Sequence, residues 1–148
     1  MAINTVNLSD TQRYPKIAKG VKTKTVRVAF VHCVFESMGL EYLSSYLKKE
    51  GHDVRLFFDP MLFSNYLLKN KFLDKYFSYR TKVVASVAAY KPDIIAFSVS
   101  STTFTWCCDT AEALKRELDI PIVFGGPHPT AVPKRVLKKD FVDFVVCG

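Results

Sequence analysis

The sequence predicts an α/β fold, a parallel sheet doubly wound by helices, and three observations carry that expectation. Short apolar runs with no polar face, such as Ile94 to Val99 and Ile122 to Phe124, read as strands buried on both sides. They alternate with stretches whose apolar residues recur at helical spacing, the pattern of strand-helix-strand units. The run at 122–124 also ends abruptly in Gly125-Gly126-Pro127-His128-Pro129-Thr130. In open parallel sheets, ligands dock beyond the carboxyl ends of the strands. Two glycines there allow backbone to come close to a large ligand, while Pro127 and Pro129 stiffen the turn around His128.

Residues 1–24 mix charges with turn formers and keep neither a strand nor a helix period, so they read as an irregular N-terminal extension. Thr25 to Val34, rich in β-branched and aromatic residues, is the first strand. The loop Phe35-Glu36-Ser37-Met38-Gly39 follows, then a helix with Leu40, Leu43 and Leu47 on one face and Gly51 closing it. His52 to Phe58 is the second strand. Met61 to Tyr90 is long for a connection. It divides into a short helical or irregular piece and a helix from about Leu73 to Ala89, with Val83, Val84 and Val87 inward. The aromatic density of 61–79 has two readings, core packing under a helix or an exposed patch for a companion domain.

Lys91-Pro92-Asp93 breaks that helix before the third strand, Ile94 to Val99. A hydroxyl run follows: Ser98, Ser100, Ser101, Thr102 and Thr103. Thr105 to Leu118 is helical, Ile122 to Phe124 is the fourth strand, and 125–130 is a loop. Pro133 opens a short basic helix to Lys139, and Phe141 to Val146 is the fifth strand. Five strands in this alternation, on a chain this short, suit the flavodoxin-like strand order 2-1-3-4-5. The crevice would then be lined by the loop at 34–39, the hydroxyl run, the Gly-Gly loop and the end at Gly148.

With 148 residues, 49% hydrophobic and 24% charged, the chain has the composition of one folded domain. No apolar run approaches the roughly 20 residues a membrane helix requires, and the N-terminus lacks a signal-peptide core, which places the chain in the cytoplasm. The four cysteines, at 33, 107, 108 and 147, have no metal-ligand spacing. The net charge of +7 comes from dispersed lysines and arginines, which favours solvated surface, or cover by an acidic partner domain, over nucleic-acid binding.

The commonest uses of the fold are missing. There is no Walker loop and no glycine fingerprint after the first strand. The loop after that strand is neither the phosphate loop of a flavodoxin nor the paired acids of a response-regulator receiver. No catalytic residue set assembles. Glu36 is a single carboxylate, and His128 is open as a ligand contact, a general base or a hydrogen-bonded turn residue. His32 reads as a packed core histidine and His52 as an exposed one. Ser98 and Thr102 could simply cap the next helix, although a run of hydroxyls exceeds what a cap requires.

Five segments, in order and separation, resemble a known family: Ser-Met-Gly-Leu-Glu-Tyr-Leu at 37–43, Gly-His-Asp-Val at 51–54, Lys-Pro-Asp-Ile-Ile-Ala-Phe-Ser at 91–98, Gly-Gly-Pro-His-Pro-Thr at 125–130 and Val-Asp-Phe-Val-Val-Cys-Gly at 142–148. They look like the cobalamin-binding domain that precedes the barrel of cobalamin-dependent radical S-adenosylmethionine enzymes, over residues 25–148. The resemblance implies a non-catalytic domain that binds cobalamin, with the nucleotide tail along the sheet and the corrin over the strand ends. Phe35, Glu36, Ser37, Met38, Ser98, Ser100, Thr102, Gly125, Gly126, His128, Thr130 and Gly148 would border it. It implies no metal-ligating residue in the chain: the Asp-x-His-x-x-Gly motif that supplies an axial histidine elsewhere is absent, since Phe30 and Phe35 flank His32 at the motif's positions.

The chain has no Cys-x-x-x-Cys-x-x-Cys motif, so the iron-sulfur cluster and S-adenosylmethionine would belong to a barrel in the parent enzyme, a methyltransferase or rearrangement enzyme. The chain would then be cut at the domain boundary. Two other readings stand beside this one: a cofactor-free interaction or sensory module using the aromatic stretch 61–79, and a small enzyme using Glu36 and His128.

Overall fold

The computed structural model describes residues 24–34, 37–61 and 79–148. The expected extension at 1–24, save Lys24, lies outside the described residues, as do Phe35, Glu36 and the stretch 62–78. Chain order is β1 (Arg27–Cys33), α1 (Met38–Lys49), β2 (Asp53–Asp59), α2 (Tyr79–Tyr90), β3 (Ile94–Ser98), α3 (Phe104–Glu117), β4 (Ile122–Gly125), α4 (Pro127–Ala131), α5 (Pro133–Val136) and β5 (Phe144–Val146). The sheet has the order β2-β1-β3-β4-β5, and every neighbouring pair is parallel. The flavodoxin-like arrangement expected from the sequence is thus present.

The two faces of the sheet are unequally covered. On one, Ala29, Val31, Ile95, Phe97, Ile122 and Phe124 pack beneath α2, α3 and Val136, and the sheet residues among them are at most 2% exposed. Val83, Val84 and Val87 face inward from α2, as their spacing predicts. On the other face, Leu40 and Leu47 of α1 pack with Val28, Phe30 and Val54. Over β5 that face is bare among the described residues: Phe144 and Val146 are 56% and 57% exposed.

Local chemistry explains the ends of the elements. Ser37 caps α1, its Oγ accepting the N–H of Leu40 at 3.4 Å. Lys48 and Lys49 lie in the last turn, where they complement the helix dipole, and Gly51 leaves the helix at φ +88°. Three expectations are corrected. The loop read at 125–130 contains a helical turn, α4, because Pro127 suits the first helical position and the N–H of Thr130 reaches Gly126 O at 3.2 Å. The basic helix opens at Pro133 as expected but ends at Val136 rather than Lys139. β5 begins at Phe144 instead of Phe141, because Val142 is held in a turn by its N–H to Lys139 O at 2.9 Å.

At the amino edge of the sheet, two aspartates do the same work. Asp93 Oδ2 accepts the N–H of Arg27 at 2.7 Å, while the Asp93 N–H donates to Arg27 O at 2.8 Å. Asp143 Oδ2 accepts the N–H of Ile122 at 2.7 Å, and the Asp143 N–H donates to Ile122 O at 3.0 Å. Each carboxylate thereby satisfies the first donor of the neighbouring strand. The Arg27 N–H and guanidinium hold Asp93 below the usual carboxylate range. Burial alone pushes Asp143 up, but the Ile122 N–H and the Lys115 ammonium, 3.0 Å away, bring it below that range as well.

Both carboxyls therefore bind protons less readily folded than unfolded. Their stabilisation is complete above the unfolded pKa of about 4 and is lost as pH falls through the lower folded values. Melting followed from about pH 7 down to about pH 3 is expected to show the loss setting in below about pH 4. Asp143→Asn is expected to lower the melting temperature at neutral pH and to make this acid-dependent fall shallower.

Candidate functional site

The carboxyl edge of the sheet is organised by its register. Ser98 pairs with Gly125, and Gly125 with Val146. β1 and β3 are in register through Val31 and Phe97, so the next step sets His32 beside Ser98. A row His32, Ser98, Gly125, Val146 thus crosses four strands on the thinly covered α1 face. Its middle members are small, and with Ala96 one step below Ser98 they floor a trough.

The two glycines at this edge differ. A Cβ on Gly125 would meet only Val146, at 3.8 Å, which is ordinary contact. A Cβ on Gly126 would lie 2.9 Å from Val99 O and 3.0 Å from Val99 N, and the backbone there has φ +102°. Gly126 is thus required by the fold itself, whereas the fold leaves the space at Gly125 open.

Residues 24–148 match the B12 binding domain family. The chain belongs to that family. No curated protein matches the sequence. The B12 binding domain is a cobalamin-binding unit, and the open space at Gly125, a cradle that a single Cβ would begin to fill, fits a bulky ligand lying against the sheet.

Within this B12 binding domain, the hydroxyl run is tied largely to itself. Ser100 Oγ lies 2.8 Å from Thr102 Oγ1 and 3.0 Å from Thr103 Oγ1, and Thr103 Oγ1 also accepts the Ser100 N–H at 3.1 Å. Thr103 makes no side-chain cap to α3, but its N–H donates to Ser100 Oγ at 3.3 Å, so Ser100 and Thr103 bond reciprocally across the turn that enters the helix. Ser98, half-buried on the row, has no hydrogen bond of this kind, although its Oγ sits 3.5 Å from the Cβ position of Gly126.

His128 joins the two loops. Its Nδ1 lies 3.0 Å from Ser101 Oγ, its ring lies 4.2 Å from that of Phe104, and its N–H donates to Val99 O at 3.1 Å. Nε2 is buried with no hydrogen-bond partner among the described residues. Thr130 Oγ1 donates to Gly126 O at 2.9 Å and accepts the Gly148 N–H at 3.3 Å, so Thr130 and Gly148 brace the Gly-Gly turn. Ser37 is engaged in capping α1, and Met38 is 86% exposed. Phe35 and Glu36 lie outside the described residues.

Sequence reasoning missed two features. His32 is only half-buried: it stands on the α1 face of β1, its ring 6.5 Å from that of Phe58, and lines a groove of ≈ 540 Å³ with Phe30, Leu56 and Phe58 beneath Glu41, Ser45 and Lys48. His52 is tied to the sheet, its Nδ1 accepting the Val26 N–H at 3.3 Å.

Cys33 and Cys107 are both buried, and the neighbouring Cys107 thiol together with burial raises the Cys33 thiol far above its ordinary value. Among the described residues no three His, Cys, Asp or Glu side chains gather to hold a metal ion, and no helix is long and apolar enough to cross a membrane.

Proposed function

We propose that this domain serves a cytoplasmic radical S-adenosylmethionine enzyme, presenting cobalamin to a catalytic barrel that holds the iron-sulfur cluster and S-adenosylmethionine. The observation that carries the site is the row of small residues at the carboxyl edge, Ser98 and Gly125 above Ala96, on the thinly covered face. A nucleotide tail lying in this trough contacts Ser98 and passes over Gly125. Gly126, His128 and Thr130 fix the turn at its end, and Ser100 and Thr102 offer hydroxyls at the rim. Ser37, Met38 and Gly148 complete the border. The five segments quoted above support the radical-enzyme setting.

Bound there, cobalamin supplies a cobalt centre that can take up and pass on a methyl group, or support rearrangement at an unreactive carbon. The residues of this chain bind and orient the cofactor and leave the cobalt without a protein histidine. The sequence lacks the axial-histidine motif, and the ring of His128 is held between Ser101 and Phe104.

Titration with hydroxocobalamin is expected to give a saturable visible spectral change, and the bound chain to melt at a higher temperature, as ligand linkage requires. The reduced Co(II) complex is expected to show no nitrogen superhyperfine splitting attributable to histidine. Splitting that vanishes in His128→Ala would refute the ligation, and absence of any spectral change would refute the site.

A further inference from the structure

Three strands of observation converge on Asp59, a residue that the cofactor reading does not use. It closes β2, opposite Cys33 in the register, and is 4% exposed. Its carboxylate accepts two N–H groups: Oδ1 from Met61 at 2.8 Å and Oδ2 from the indole of Trp106 at 3.0 Å. Its carbonyl accepts the Val34 N–H at 3.0 Å, one step beyond the end of β1. One residue thus joins the exits of β1 and β2 to the first turn of α3, the helix that follows the hydroxyl run.

Both exits that it holds are strained. Val34 has φ +72° and Met61 φ +48°, a left-handed region that side chains other than glycine rarely enter. For the β-branched Val34 this is a true outlier. Such conformations persist only where the surroundings impose them, and they cluster at functional sites. Were the link needed only to close the fold, glycine would serve at position 34 without strain. A valine held left-handed has far fewer alternatives than glycine, so the backbone at position 34 keeps one conformation.

We propose that Asp59 is a positioning residue for the cofactor: with Trp106 and the left-handed Val34 it sets the β1 side of the crevice in its ligand-receptive shape before cobalamin arrives. The proposal rests on the cobalamin reading above. A rim fixed in advance does not divide its population among shapes that cannot bind, and freeing it lowers apparent affinity by the fraction that remains competent.

The experiment compares wild type, Val34→Gly, Val34→Asn and Trp106→Phe in thermal melting and in hydroxocobalamin titration. Val34→Gly is expected to melt within a few degrees of wild type and to bind about tenfold more weakly. Val34→Asn, whose short side chain tolerates the left-handed region, is expected to bind as wild type. Trp106→Phe keeps the aromatic bulk, removes only the donor to Asp59, and is expected to weaken binding. Wild-type affinity in both Val34→Gly and Trp106→Phe overturns the proposal and leaves the cobalamin reading intact. Affinity that falls only in step with melting temperature in all variants assigns the link a purely structural role and also overturns it. A wild-type chain that takes up no cobalamin overturns the reading and the proposal together.

Discussion

Gly125→Ala is expected to fold like the wild-type chain and to bind cobalamin roughly tenfold to hundredfold more weakly. The strand conformation at Gly125 is open to any residue, and the new methyl would meet Val146 at 3.8 Å, an ordinary contact. Replacing glycine where alanine fits also reduces the freedom of the unfolded chain and stabilises by about 0.4–1 kcal/mol. The melting temperature of the free variant should therefore equal or slightly exceed that of wild type. Only a ligand lying on the row between Ser98 and Val146 would object to the methyl. An intrusion into a closely packed contact costs about 1–3 kcal/mol, which corresponds to roughly a tenfold to hundredfold weaker complex. Spectral titration with hydroxocobalamin, run beside a melt, measures both. Wild-type affinity in Gly125→Ala would remove the cofactor from this trough.

Gly126→Ala is expected to fail for the opposite reason. Its backbone, at φ +102° and ψ −173°, lies in a region that is essentially restricted to glycine. Its Cβ would also press on Val99, whose N–H donates to Gly125 O at 2.8 Å and whose carbonyl accepts from His128 at 3.1 Å. Val99 cannot retreat without breaking the junction of β3 and β4. Conformational strain and steric intrusion together should cost about 3 kcal/mol, lowering the melting temperature by about 10 °C. Loss of cobalamin in this variant would follow from damage to the turn, and for that reason Gly125 is the informative position.

The pair shows what the sequence conveys and what it conceals. Gly125-Gly126 marks a strand end in the sequence, and the structure has one there. Which glycine serves the fold depends on Val99, a neighbour brought close only by strand pairing. Strand order was legible because apolar runs without a polar face, separated by helical spacing, admit few topologies. The faces were less legible: residues 28–33 are almost uniformly apolar, so nothing in β1 reveals that Val31 lies under two helices while His32 borders an open groove.

Two of the segments that suggested the family prove to be structural. Asp93 in Lys-Pro-Asp-Ile-Ile and Asp143 in Val-Asp-Phe-Val-Val sit at the amino edge, away from the crevice, and pin neighbouring strands by one repeated geometry. The link from Asp59 to Trp106 joins residues 47 apart and has no local signature. The mutual bonding of the hydroxyl run depends on a loop shape that composition does not specify.

The place of Trp106 gives the domain a built-in optical gauge. It is the single tryptophan of the chain, half-buried at the head of α3 and bonded to Asp59. Its indole emits in the near-ultraviolet, where a corrin ring absorbs. Excitation of the native protein therefore reports occupancy of the crevice without any attached dye: emission is extinguished by energy transfer as the cofactor arrives and returns as it leaves. Because the same indole donates to Asp59, a shift in the colour of its emission in the empty protein would register loosening of that link separately from the presence of the ligand.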